Sequence, residues 1–233
     1  MLPAVLVLLP AIVLALHWRH DGITLELGTL VVVCGMALAY LGAKLIRALG
    51  RRIEPILFSR WGGMPSVQIL RHRDTTFTAP QKLNFHAKLA AKAHCVMPNA
   101  AQETLDTRFA DEQYLKASNW LRTNTRDPAR FPTIAAESTE YGFFRNAYAV
   151  RWIGVAVAGG SLLCLLTPRA FHVQPTSLHA FIQTLAAMSS GERWIVAFDL
   201  LWAIIWFVIF RDRIVQSAAW RYARALVEAS DSI

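Results

Sequence analysis

Four apolar runs, Leu2 to Trp18, Gly28 to Leu49, Ala149 to Thr167 and Trp194 to Phe210, constrain this chain more than any other feature. Each approaches the roughly 17 to 25 residues a helix needs to cross the hydrocarbon core of a bilayer. With 55% hydrophobic residues, eight Trp and only 17% charged residues, the pattern predicts an all-α integral membrane protein whose four transmembrane helices pair as two hairpins. Leu2 to Trp18 has no basic residue ahead of it and no small-x-small cleavage site before Arg19, so it reads as a signal anchor rather than a cleaved peptide.

The placement of Lys and Arg sets the expected orientation. Lys44, Arg47, Arg51, Arg52 and Arg60 follow the second run, Arg145 and Arg151 precede the third, and Arg211, Arg213, Arg221 and Arg224 follow the fourth. The opposite ends carry only Arg19, Arg169 and Arg193. By the positive-inside rule both termini and the central segment face the cytosol, and the expected location is a bacterial inner membrane. A net charge of +8 then follows from topology and from attraction to anionic lipid on that face, and it gives no preference for nucleic acid. Cys34 and Cys164 fall inside runs and Cys95 in the central segment, so no disulfide framework is expected.

The order of the chain predicts a first transmembrane hairpin over 1–49, a helical cytosolic insertion over 50–147, a second hairpin over 148–212 and a cytosolic C-terminal helix over 213–233. The turn from Arg19 to Glu26 joins the first two runs, and Pro10 marks a kink in the first. Gly35, Ala39 and Ala43, and Gly154, Ala156, Ala158 and Gly160, recur at spacings that let helices approach closely. Intramolecular packing accounts for them, and a homo-oligomer would use the same faces. Within the insertion, Pro65 opens a short helix to about His72. Thr78 and Gln81 form a capping box for a helix from about Ala79 to Val96, with Leu83, Ala87, Leu89 and Ala90 as its apolar face. Met97 to Arg108 reads as a loop, Phe109 to Thr123 as a helix, and Thr133 as the cap of a last helix running into the third run. So few large aliphatics predict a helical annex on the hairpins rather than an independent domain. Between the last two runs, Ser177 caps an amphipathic helix through Met188 that suits the outer interface.

Candidate chemistry concentrates in Phe58 to Asp74. His72 and Asp74 have the types needed for a base and its orienting carboxylate, though no nucleophile is in view. His86 and His94 are eight apart, too far for an i, i+4 metal pair, so neither metal nor cofactor is expected. Arg60, Arg71, Arg73, Arg126 and Arg145 supply forked donors suited to phosphate, with Trp61 beside them and Gly62-Gly63 offering close backbone approach. The competing reading pairs these arginines with nearby carboxylates. Asp199 is the acid inside the fourth run, where a charge is costly. An interfacial acid satisfied by Ser, Thr or Arg193 competes there with a relay or pore role.

The blocks Arg60-Trp61-Gly62-Gly63-Met64-Pro65, Leu70-Arg71-His72-Arg73-Asp74 and Tyr141-Gly142-Phe143-Phe144-Arg145-Asn146 resemble those of a family of small bacterial multi-pass membrane proteins. Ser66, Val67 and Phe85 depart from its pattern. The resemblance implies topology, and that these Arg, Trp and Gly positions act together; it implies no activity.

The expected function is therefore that of a non-enzymatic membrane protein whose basic cytosolic region docks a protein partner or a phosphate-bearing ligand, such as an anionic lipid or a nucleotide. Proteins of this build serve, by analogy, as membrane effectors or accessories, for instance in defence systems. The alternatives are a membrane-bound enzyme acting on a phosphate-bearing lipid or nucleotide, which His72→Gln would abolish, and an oligomeric channel.

Overall fold

The computed structural model describes residues 2–17, 25–173 and 186–233, with side chains described outside 25–36, 38 and 168–173. Residues 19–24 of the expected Arg19 to Glu26 turn and most of the Ser177 to Met188 helix lie outside the described residues, as does the Cys34 side chain, while Leu25 and Glu26 already belong to a helix. The described chain is all helical: α1 Leu2–His17, α2 Leu25–Arg60, α3 Pro65–Gln68, α4 Ala79–Ala93, α5 Ala100–Leu105, α6 Thr107–Asn124, α7 Pro132–Ala149, α8 Arg151–Val173, α9 Ser190–Val208 and α10 Asp212–Glu228, then a 3-10 turn Ala229–Asp231. It divides into two compact units, Met1–Arg51 with Asn146–Arg211, and Arg52–Arg145 with Asp212–Ile233. Among the described residues no single helix is long and apolar enough to cross a membrane. The pairs 132–149 with 151–167 and 190–208 with 212–231 meet the length and composition test only when joined across a break.

In the first unit three helices bury seams of alternating four- and three-residue spacing, the pattern that keeps one stripe facing its neighbours. The seams are Pro3, Val7, Pro10 and Leu14 of α1, Gly154, Ala158, Ser161 and Leu165 of α8, and Ile195, Asp199, Trp202 and Trp206 of α9, with Trp202 half-buried and the rest buried. Helices α8 and α9 run antiparallel: Leu165 meets Ile195 in a cluster with Leu14 and Met188, Ser161 faces Asp199, and Gly154 lies under the Trp206 ring. Small residues on α8 thus serve packing within the chain, although Ala156 is exposed. Gly50 is a second close approach, since a Cβ there would stand 3.2 Å from the Asn146 backbone.

Pro10 and Trp202 explain each other. Proline has no N–H, so the Leu6 carbonyl four residues earlier loses its helical donor. The Trp202 indole Nε1–H donates to that carbonyl at 2.9 Å. An aromatic on one helix thus repairs the backbone of another.

The second unit has its own core, contrary to the expected annex. Ile69, Leu70, Phe77, Phe85, Leu89, Tyr114, Ala117, Leu121, Phe131 and Ile134 are joined there by Ala223, Leu226 and Val227 of α10. The C-terminal helix supplies the aliphatics that the central segment lacks. Other elements also depart from expectation. Helix α3 stops at Gln68, and Ile69 to Arg71 continue as hydrogen-bonded turns. Helix α4 ends at Ala93, where His94 turns left-handed at φ 48°. Its buried face is Lys82, Phe85, His86, Leu89 and Ala93, whereas Leu83 and Ala87 are exposed. Met97 to Arg108 is not a loop throughout: Asn99 accepts from the Gln102 N–H at 2.9 Å and the Gln102 side chain accepts from the Asn99 N–H at 3.0 Å, a reciprocal cap that opens α5. Helix α7 begins at Pro132, ahead of Thr133, because proline suits a first turn whose N–H would have no helical partner.

Candidate functional site

Gly62 and Gly63 end α2. Their φ values, 82° and 133°, fall where glycine alone is unstrained. The Gly63 N–H donates to the Phe58 carbonyl at 2.8 Å and the Gly62 N–H to Ser59 at 3.4 Å, the paired bonds of a Schellman cap. The carbonyls are engaged too. Gln68 Nε2 donates to Trp61 at 3.0 Å and to Gly63 at 2.7 Å, and Arg71 Nη1 reaches Gly62 at 3.3 Å. The turn's own N–H groups therefore cap a helix rather than point at an anion.

Arg71 is buried and forked onto Asp111, with Nε to Oδ1 at 2.8 Å and Nη2 to Oδ2 at 2.6 Å. That hydrogen-bonded carboxylate holds the guanidinium pKa above its usual value, despite burial. Its neighbours in sequence wrap around a second buried cation. The Lys82 ammonium donates to the carbonyls of Arg71 at 2.7 Å, His72 at 3.4 Å and Asp74 at 2.5 Å. Desolvation pulls its pKa down, and three backbone dipoles compensate in place of a counterion. Glu103, also buried, accepts from the His72 N–H and from the Tyr114 hydroxyl, each at 2.8 Å. Burial, reinforced by Glu103, drives the Tyr114 pKa upward.

His72 and Asp74 do not form a catalytic pair in this geometry. The His72 ring bonds the Pro98 carbonyl through Nε2 at 2.9 Å, and the Asp74 carboxylate accepts the Thr76 N–H at 2.8 Å in a local turn. The His72 ring also meets His86 edge-on at 5.0 Å. His86 is buried, with Nε2 on the Leu70 carbonyl at 2.8 Å. Burial lowers its pKa, opposed by that carbonyl and aided by His72 and Lys82. The unfolded chain takes up this proton near about pH 6.5 while the folded unit still excludes it, so stability rises with pH through this window and is lost on acidification. Thermal melts should therefore fall as pH drops below about 6.5, by at most about 1.4 kcal/mol per pH unit from this one site. His86→Gln, which keeps a donor for Leu70, should flatten that dependence.

The other arginines are placed unequally. Arg60 lies 4.0 Å from Asp212, and Trp61 Nε1 donates to the same carboxylate at 2.7 Å while its ring meets Trp220 at 5.8 Å. Arg145 pairs with Glu54 at 3.1 Å, and the Tyr141 hydroxyl donates to that carboxylate at 2.7 Å. Arg73 and Arg126 are exposed and make no hydrogen bond or ion pair with a described residue. Of the two, Arg73 borders a recess: His72, Arg73, Ala100, Glu103, Thr104 and Thr107 line a cleft of about 450 Å³. A second cleft of about 450 Å³, also lined by His72, is bordered by Asp74, Thr75, Thr78 and Lys82 among others. A smaller cavity of about 40 Å³ sits among Glu54, Phe58, Met64, Arg122, Tyr141 and Tyr222.

Asp199 belongs to the first unit. It is fully buried, neither carboxylate oxygen has a hydrogen-bond partner, and Arg193 is exposed elsewhere on the helix. Among the described residues no three His, Cys, Asp or Glu side chains are grouped to hold a metal. Lys82, Glu103, Asp111 and Tyr114, which organise the loop, escape sequence reasoning. Their partners lie 8 to 40 positions away, and nothing in their local pattern signals pairing. Comparison of the chain with family models, curated proteins and solved structures finds no match.

Proposed function

We propose that this is a non-enzymatic inner-membrane protein in which the helices of the first unit lie in lipid and the second unit docks a phosphate-bearing ligand. Arg73 carries the ligand reading. It is the exposed arginine that has no described partner and stands at a cleft, beside His72 and the hydroxyl-bearing Thr104 and Thr107. Glu103 also lines this cleft, but one carboxylate oxygen already accepts the His72 N–H and the Tyr114 hydroxyl. The network of Arg71, Lys82 and Glu103 holds the loop that presents Arg73, so the structural cations preorganise the free one.

The membrane reading is supported by the outward faces of the bundle. Leu2, Leu8, Ile12 and Leu16 of α1, Leu163 of α8, and Leu200, Leu201, Ile204 and Phe207 of α9 are exposed, and Trp194 is 74% exposed. Isolated exposed leucines are ordinary, but apolar faces on several packed helices mark a lipid or protein environment. Both termini are then cytosolic by the charge pattern of the sequence.

Native mass spectrometry after gentle release from detergent, paired with inorganic phosphate and nucleoside monophosphate titrations, tests this reading. A phosphate-bearing adduct that Arg73→Ala weakens about tenfold supports it, as expected for losing a charge-assisted contact. Equal binding by wild type and variant, or none by either, overturns the assignment of Arg73. The same spectrum gives the copy number. Release of the chain from vesicles by alkaline carbonate would overturn the membrane reading.

A further inference from the structure

We propose that Asp199 and Ser161 form a proton-binding site inside the helical bundle. The inference rests on the reading that these helices lie in lipid. Asp199 is 0% exposed and Ser161 4% exposed, and Asp199 Oδ1 and Oδ2 and Ser161 Oγ all lack hydrogen-bond partners. The two side chains nevertheless face each other across the α8–α9 seam. Leu165 and Ile195 close the seam on one side, with Leu14 of α1, and Gly154 and Trp206 on the other. Leu6 meets Trp202 and Leu14 meets Ile195, which puts the Pro10 turn of α1 level with Asp199.

This set of atoms suits a proton and not a metal ion. Hard cations take six or more oxygens, whereas the seam offers three. The extra carbonyl that Pro10 frees, Leu6, is occupied by Trp202. The remaining orphan, Trp206 Nε1, lies two helical turns along α9, about 10 Å away. No other charged or titratable described group faces the site. Helix α1 carries none before His17, which contacts Gly191 instead. Helix α8 carries no charged group between Arg151 and Thr167, its thiol there, Cys164, is exposed and off the buried seam, and Glu192 on α9 is bonded to Ser189. When the carboxylate takes up a proton, the new O–H donates to Ser161 Oγ. When it releases the proton, the Ser161 O–H turns to donate to the charged oxygen. One side-chain rotation thus follows each proton, with no change elsewhere in the balance.

The test is carbodiimide labelling of the full chain in lipid nanodiscs, with tandem mass spectrometry to locate adducts. Dicyclohexylcarbodiimide enters apolar regions and reacts with protonated carboxyls, whereas its water-soluble analogue reaches exposed ones. The expected result is modification of Asp199 by the apolar reagent and not by the soluble one, with labelling that falls at least about tenfold as the pH is raised and the carboxyl loses its proton. Asp199→Asn should remove the adduct. Ser161→Ala should move the fall to higher pH, because the charged form loses its donor; a purely structural serine would leave it unmoved. No adduct on wild-type Asp199 at any pH, labelling by the soluble reagent, or an unchanged profile in Ser161→Ala overturns the proposal. Wild-type labelling is read without any variant, so a misfolded mutant does not decide it. If carbonate strips the chain from vesicles while labelling persists, the site stands and the membrane reading falls.

Discussion

Replacing Asp111 by Ala is expected to destabilise the second unit by about 3 kcal/mol, near the lower end for breaking a buried ion pair. The reason is asymmetry. Arg71 is only 8% exposed at its side chain and Asp111 34%, so removing the carboxylate strands a buried guanidinium that retains one carbonyl, Gly62. Arg71→Leu leaves the opposite situation, a carboxylate that water can still reach, and should cost less, about 2 kcal/mol. The effect should spread beyond the pair. The Arg71 carbonyl is one of those holding Lys82, and the fork fixes the Gly62-Gly63 turn. Denaturant unfolding of the full chain in mild detergent, with the double mutant Asp111→Ala/Arg71→Leu, checks this. A double mutant no worse than Asp111→Ala alone would show that the stranded charge dominates. Equal single-mutant costs would remove the asymmetry from the account.

Gly154→Leu should disrupt the first unit at least as strongly. A Cβ at this position would stand 2.4 Å from Trp206 Cδ2 and Cε2, and Trp206 is 0% exposed, so the ring has nowhere to move. Overpacking of this kind costs about 1 to 3 kcal/mol when neighbours can shift. Here it must separate α8 from α9 and open the Ser161–Asp199 layer as well. Gly154→Ala should show a smaller loss, and Trp206→Leu should partly restore it by making room. Thermal unfolding in nanodiscs gives the ranking. If Gly154→Ala melts like wild type, the close approach does not hold the helices together.

Helix type and approximate extent were legible wherever a local signal existed. The Thr78–Gln81 capping box marked the start of α4, since the Thr78 N–H donates to Gln81 Oε1 at 3.0 Å. Pro65 marked the start of α3. The same kind of signal, Asn99 with Gln102, stands at the start of α5, inside the stretch that reads as a loop. The buried face of α4 was less accessible. Lys82 and His86 read as polar surface, and only the carbonyls of residues 70 to 74, brought over them by the fold, make their burial tolerable.

The sequence by itself determined an all-helical chain, the position of most helices, the Pro and Gly punctuation at Pro10, Gly62 and Gly63, and the arginines gathered near the second unit's loops. These follow from propensity, periodicity and capping, which act within a few residues. Tertiary structure alone decided which arginines are tied to carboxylates and which stand free. It also made α10 part of a core rather than a tail and placed Asp199 against Ser161 without a hydrogen bond. The physical reason is range. A helix cap is closed by side chains three or four residues apart, whereas Arg71 finds Asp111 40 positions on and Trp61 finds Asp212 151 positions on, so burial and charge pairing are set only when distant segments pack.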